Sequence, residues 1–187
     1  MIQTNFIKNA LLLICITSIA ITACKTEEPK PDQAPENENE LITTVQLEFE
    51  DSVTQLKSYA VFKDLDGDGG NNPSHFDTIY LDSQRTYFTR ILLLDESKTP
   101  ADTISNEVLE EANDHLFVFK ADGLNLNVQI LDKDQNNLPL GLYSRWKTGS
   151  SGMGKVNVTL KHQPGLKDGT AAPGESDISL DFETQIR

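Results

Sequence analysis

Three stretches of strict alternation constrain this chain more than anything else in it. Val45, Leu47 and Phe49 alternate with Gln46, Glu48 and Glu50. Leu124, Leu126, Val128 and Ile130 alternate with Asn125, Asn127 and Gln129, and Ile178, Leu180, Phe182 and Ile186 alternate with Ser179, Asp181 and Glu183. Successive side chains of a strand point to opposite faces, so each stretch is a strand with one buried and one wet face. That is the pattern of antiparallel sheets. Further strand-like runs lie at 57–63, 76–81, 85–94, 115–120, 140–148 and 155–162. About nine short strands separated by turn residues predict a mainly β fold, an immunoglobulin-like antiparallel β-sandwich. The Cys–Trp–Cys spacing of true immunoglobulin domains is missing, so the class is predicted and the strand order is not.

One helix interrupts the strands. Thr99-Pro100-Ala101-Asp102 reads as a capping box, with Thr99 at the N-cap and Pro100 at the first helical position. Ile104, Val108, Leu109 and Ala112 then recur at helical spacing, with Glu107, Glu110 and Glu111 on the other side. The expectation is a helix of about two to three turns, ending near Asn113 and packed over one end of the sandwich.

The first forty residues are read apart from this domain. Lys8 precedes an apolar run from Ala10 to Ile21, too short to span a bilayer as a helix but suited to a signal peptide. Ile21-Thr22-Ala23-Cys24 resembles a bacterial lipobox. On that reading residues 1–23 are a lipoprotein signal peptide, Cys24 is acylated, and the chain is held to a membrane by its lipid anchor. Cys15 leaves with the signal, so no free thiol remains for catalysis, disulfide or metal. Lys25-Thr26-Glu27-Glu28 is similar to the surface-export signal of Bacteroidota lipoproteins. Residues 24–40, rich in Pro, Glu and Asn, read as a disordered tether, and 41–187 as the sandwich domain.

Charge limits the partners. The 16 Lys and Arg face 29 Asp and Glu, a formal net charge of −13. Nucleic acid needs a basic surface and is excluded as a partner.

Among motifs that carry chemistry, Asp64-Leu65-Asp66-Gly67-Asp68-Gly69 is the sharpest. Alternate aspartates converge hard oxygens on one ion, so Asp64, Asp66 and Asp68 are candidate calcium ligands. An EF-hand would need a glutamate at the twelfth position, where this chain has His75, with Asp77 two residues further on. The competing reading is a plain Asp/Gly turn. Asp132-Lys133-Asp134-Gln135-Asn136 is a weaker echo. The second candidate is a transition-metal site for zinc or copper at Glu111, Asp114, His115 and His162, which requires the fold to bring distant strands together. Ser150 and Ser151 lie in a glycine-rich hairpin without a strand–elbow–helix context, and no enzymatic activity is expected. Trp146 and Tyr143 have opposite parities on one strand, so they form no shared aromatic platform.

The whole resembles small, uncharacterised Bacteroidota lipoproteins. The resemblance rests on the lipobox at Cys24, the loop from Phe62 to Gly70, the segment from Thr99 to His115, Leu138-Pro139-Leu140-Gly141-Leu142 and Leu160-Lys161-His162-Gln163-Pro164. Some members carry the description "type 1 periplasmic binding fold", a larger α/β architecture that this chain's length and strand pattern do not fit. The resemblance implies an outer-membrane lipoprotein, periplasm-facing or surface-exposed, that captures a ligand or metal beside a TonB-dependent receptor. The alternative is a calcium-stiffened structural or adhesion module with no small-molecule ligand.

Overall fold

The computed structural model describes residues 41–67 and 70–187. The signal segment, Cys24, the tether and Asp68 lie outside the described residues. The elements run β1 (Thr44–Asp51), β2 (Lys57–Lys63), β3 (His75–Phe76), β4 (Ile79–Leu81), β5 (Thr86–Leu94), α1 (Ile104–Glu110), β6 (His115–Asp122), β7 (Leu126–Ile130), β8 (Tyr143–Thr148), β9 (Gly152–His162) and β10 (Glu175–Ile186). They form two sheets, ordered β3-β2-β1-β5-β8-β7 and β4-β10-β9-β6. The expected two-sheet β-sandwich is what these residues build.

Alternation sets which face is buried. Val45, Leu47 and Phe49 of β1 are all within 1% of complete burial, and β1 lies between β2 and β5. Across the gap, Phe117, Val156, Leu160 and Phe182 supply the opposing layer. Two edge-on ring contacts join the sheets, Phe119 to Trp146 at 5.7 Å and Phe76 to Phe182 at 5.0 Å. Trp146 is fully buried and donates its indole N–H to Ser144 Oγ at 2.9 Å, so its one polar atom is satisfied.

Three expectations need correction. The run 76–81 is not one strand. Asp77 pins the chain to β2, donating its N–H to the Val61 carbonyl and accepting the Val61 N–H at Oδ2. The chain then leaves that sheet, and β4 joins the other one beside β10. The β4–β10 pair is parallel, so the sheets are not wholly antiparallel.

The helix also starts later than the capping box implies. Asp95 and Asp102 exchange both backbone hydrogen bonds at 3.0 Å, which closes residues 95–102 into a loop with Thr99 and Pro100 inside it. Helix α1 begins only at Ile104, with Thr103 at the N-cap and no side-chain cap. It buries Ile104 and Val108, whereas Leu109 faces solvent. No helix among the described residues is long and apolar enough to cross a membrane.

Candidate metal centre

The centre forms where the inward-facing rows of β6 and β9 run out. Phe117 and Leu160 oppose each other across this antiparallel pair, and the next inward pair is His115 and His162. Their imidazoles stack with 4.7 Å between centroids and 9° between planes. His115 is buried and His162 half-buried. The helix does not extend to His115. It ends at Glu110, and a tight turn, with the Asp114 N–H on the Glu111 carbonyl at 2.9 Å, returns the chain into β6. That turn sets the exposed Glu111 beside the pair. One ligand atom from each of Glu111, His115 and His162 lies within 4.8 Å of the others.

The local chemistry suits a metal ligand. His115 Nδ1 sits 3.1 Å from the Glu111 backbone carbonyl, and in the tautomer that donates there Nε2 keeps its lone pair. Burial lowers the His115 pKa below its ordinary value, and His162 pushes in the same direction. The Glu111 carbonyl and the Asp177 carboxylate only partly oppose this. The neutral imidazole that results at neutral pH is the form that coordinates a metal.

Asp177 is the residue that sequence reasoning missed. It is the extra residue of a β-bulge in β10, where Ser176 pairs with Lys161 and Ile178 with Leu160. Its side chain is 6% exposed, and Oδ2 lies 3.9 Å from His115 Nε2. That oxygen has no hydrogen-bond partner. Burial raises the Asp177 pKa above the usual carboxylate range, against the pull of His115, His162 and Lys161. Period-two parity places Asp177 on the wet face, and nothing in the sequence announces the bulge that turns it inward.

Asp114, the fourth expected ligand, is not in the cluster. Its Oδ1 accepts the Gly165 N–H at 3.1 Å and its carbonyl accepts the Gln163 N–H at 2.6 Å, so it fastens the loop after β9. His75 pairs instead with Asp77, Nε2 to Oδ1 at 2.8 Å, which with the Val61 bond occupies both Asp77 oxygens. The loop returning to β10 passes close over His162. At Gly174 φ is +72°, and a Cβ there would meet the His162 carbonyl oxygen at 2.0 Å.

Of the three candidate calcium ligands, Asp64 and Asp66 fall among the described residues and their side chains meet. Burial raises the Asp64 pKa, and the contact with Asp66 adds to it. Asp66 is lowered by Asn71, which donates both its backbone N–H and its side-chain amide to Oδ2 at 2.9 and 2.7 Å. Asp64 Oδ1 is buried without a hydrogen-bond partner. A cavity of about 780 Å³ separates this loop from the β10 bulge, with Ile42, Phe62 and Asp64 on one side and Asp177 and Ile178 on the other.

The weaker echo is a turn. Asp134 Oδ1 accepts the N–H groups of Asn136 and Leu138, both at 2.8 Å, and Oδ2 faces Lys167 Nζ at 2.8 Å. Asp132 accepts from Gly141 and Tyr143. Both carboxylates are occupied by protein groups. Ser150 and Ser151 sit in the turn between β8 and β9.

Comparison of the chain with protein-family models, with curated proteins and with solved structures returns no match.

Proposed function

We propose that this protein is a non-enzymatic, lipid-anchored binding lipoprotein of the outer membrane, and that it captures a transition-metal ion at Glu111, His115 and His162. The observation that carries the metal reading is the stacked cross-strand histidine pair with a carboxylate oxygen within 4.8 Å. Two imidazoles and a carboxylate suit zinc or copper, whereas calcium takes oxygen ligands alone. Anchoring through Cys24 and delivery to a TonB-dependent receptor rest on the sequence resemblance. They give such a site a use, because a captured ion needs a gated route inward.

The test is the metal content of the detergent-purified full chain, equilibrated with calcium, zinc and copper together and then desalted. About one transition-metal ion per chain is expected in the wild type, with loss in His115→Ala and in His162→Ala. A wild-type chain free of transition metal, or full retention in both variants, contradicts the reading.

A second reading has its own support. Asp64 Oδ1, buried without a partner next to Asp66, is what a calcium-stiffened structural or adhesion module would contain. It predicts a calcium-dependent rise in melting temperature that disappears in Asp66→Ala. No rise in the wild type removes it.

A further inference from the structure

With Glu111, His115 and His162 as ligands, a tetrahedral ion still has one position open. We propose that Asp177 fills it through Oδ2, closing a shell of two imidazoles and two carboxylates around a divalent ion of the zinc type. This rests on the reading of the other three residues as metal ligands.

Geometry supplies the first argument. His115 Nδ1 is taken by the Glu111 carbonyl, which directs the remaining lone pair, on Nε2, to the side where Asp177 Oδ2 lies 3.9 Å away. Zinc bonds to nitrogen and oxygen are about 2.0–2.1 Å, so neighbouring atoms of a tetrahedral shell lie roughly 3.3 Å apart. A contraction of about 0.6 Å brings these two atoms onto one ion, and because Asp177 stands outside the 4.8 Å group of the other three, it must also draw in toward Glu111 and His162 to complete the shell.

The second argument is the oxygen itself. Asp177 Oδ2 is shut away from water and no donor reaches it. A buried carboxylate oxygen without a donor is costly, and a cation between it and the imidazole removes that cost.

The third argument is construction. Without the bulge, β10 would run past the histidines with its acidic residue facing water. The extra residue turns Asp177 inward beside His115 and nowhere else along the strand.

The composition of the shell names the ion. Two carboxylates balance the charge of a divalent cation. Calcium would require six to eight oxygens, and copper(I) prefers sulfur. A four-ligand shell also leaves no site for a reacting water, which suits holding an ion rather than catalysis.

The test uses the full chain in detergent, with cobalt(II) as an optical probe and zinc as the competing ion. The wild type is expected to give the intense visible absorption of four-coordinate cobalt. Asp177→Asn is expected to lose that intensity and to bind zinc about 100-fold or more weakly. Unchanged affinity and spectrum in Asp177→Asn overturn the assignment of Asp177 and leave the three-residue site standing. Weaker binding with an unchanged spectrum also overturns it, because Asp177 then only positions a ligand. A wild type that binds neither ion defeats the three-residue reading, and this proposal with it. Asn keeps the shape of the side chain, and the apo melting temperature checks the fold. Where it falls, Asp177→Ser is read against the same outcomes.

Discussion

Lys167 shows what this acidic chain requires of a buried carboxylate. Its Nζ lies 2.8 Å from Asp134 Oδ2, with the two side chains 2% and 0% exposed, and it also donates to the Ala112 carbonyl at 2.7 Å. Burial pulls the Asp134 pKa up. The Lys167 ammonium and the Leu138 and Asn136 N–H groups outweigh it, and the carboxyl titrates below the usual range. Removing one partner of such a pair strands the other charge. Lys167→Met is therefore expected to cost about 3 kcal/mol in urea unfolding, while Lys133→Met, at an exposed position, costs under about 0.5 kcal/mol. Equal, small effects would show that the pair carries no such role. Asp177 is the contrasting case, a carboxylate side chain buried to a similar degree with no lysine or N–H on Oδ2. The sequence holds nothing that separates the two aspartates, since both sit in polar surroundings beside alternating strands. Only the bulge and the loop path decide which one is compensated by protein groups.

At the scale of elements, helix α1 depends on β5. Strand β8 pairs with β5 along Thr86–Arg90, and the chain before it still takes the Ile91 N–H on the Leu142 carbonyl, which leaves Leu93 on that edge without a strand partner. Ser105 covers it, accepting the Leu93 N–H at 2.6 Å and donating to the Leu93 carbonyl at 3.3 Å. Ser105→Ala is expected to cost about 1–3 kcal/mol and to speed hydrogen exchange at the Leu93 amide. Slow exchange and unchanged stability would count against this. The strands were legible because one face is buried and one is wet, and Val45, Leu47 and Phe49 declare that directly. The split of 76–81 was not, because Phe76 and Ile79 are both apolar and only the Asp77 bonds to Val61 force the chain across to the other sheet. The helix start was misplaced because Thr99-Pro100 carries a sound capping pattern, while the backbone groups of Asp102 are occupied by Asp95. Glu111 and His115 are brought together by a turn and not by a helical face.

Across the whole molecule, carboxylates govern the response to acid. Asp51 is held below the usual range by the Thr54 and Val53 N–H groups, Asp95 by the Ser97 hydroxyl, and Asp134 as above. A carboxyl whose pKa is lower folded than unfolded adds stability above its unfolded value, and this is lost as pH falls through the folded one. The melting temperature is therefore expected to fall below about pH 4, and less steeply in Asp51→Asn than in the wild type. Parallel acid limbs in the two proteins would remove Asp51 from the account. The pairing of His115 with His162 also belongs to this scale. Each is an isolated histidine at the end of a strand, and only the β6–β9 register makes them neighbours. Residue type marked both as candidates, but their meeting follows from topology, which alternation leaves open.

The central claim is that an ion sits where those two strands end. Its most direct test is an anomalous difference map at the zinc edge from crystals of the zinc-loaded chain. The account predicts one strong peak within bonding distance of His115, His162, Glu111 and Asp177. A peak confined to Asp64 and Asp66, or none in a crystal that retains the His115–His162 stack, would contradict it.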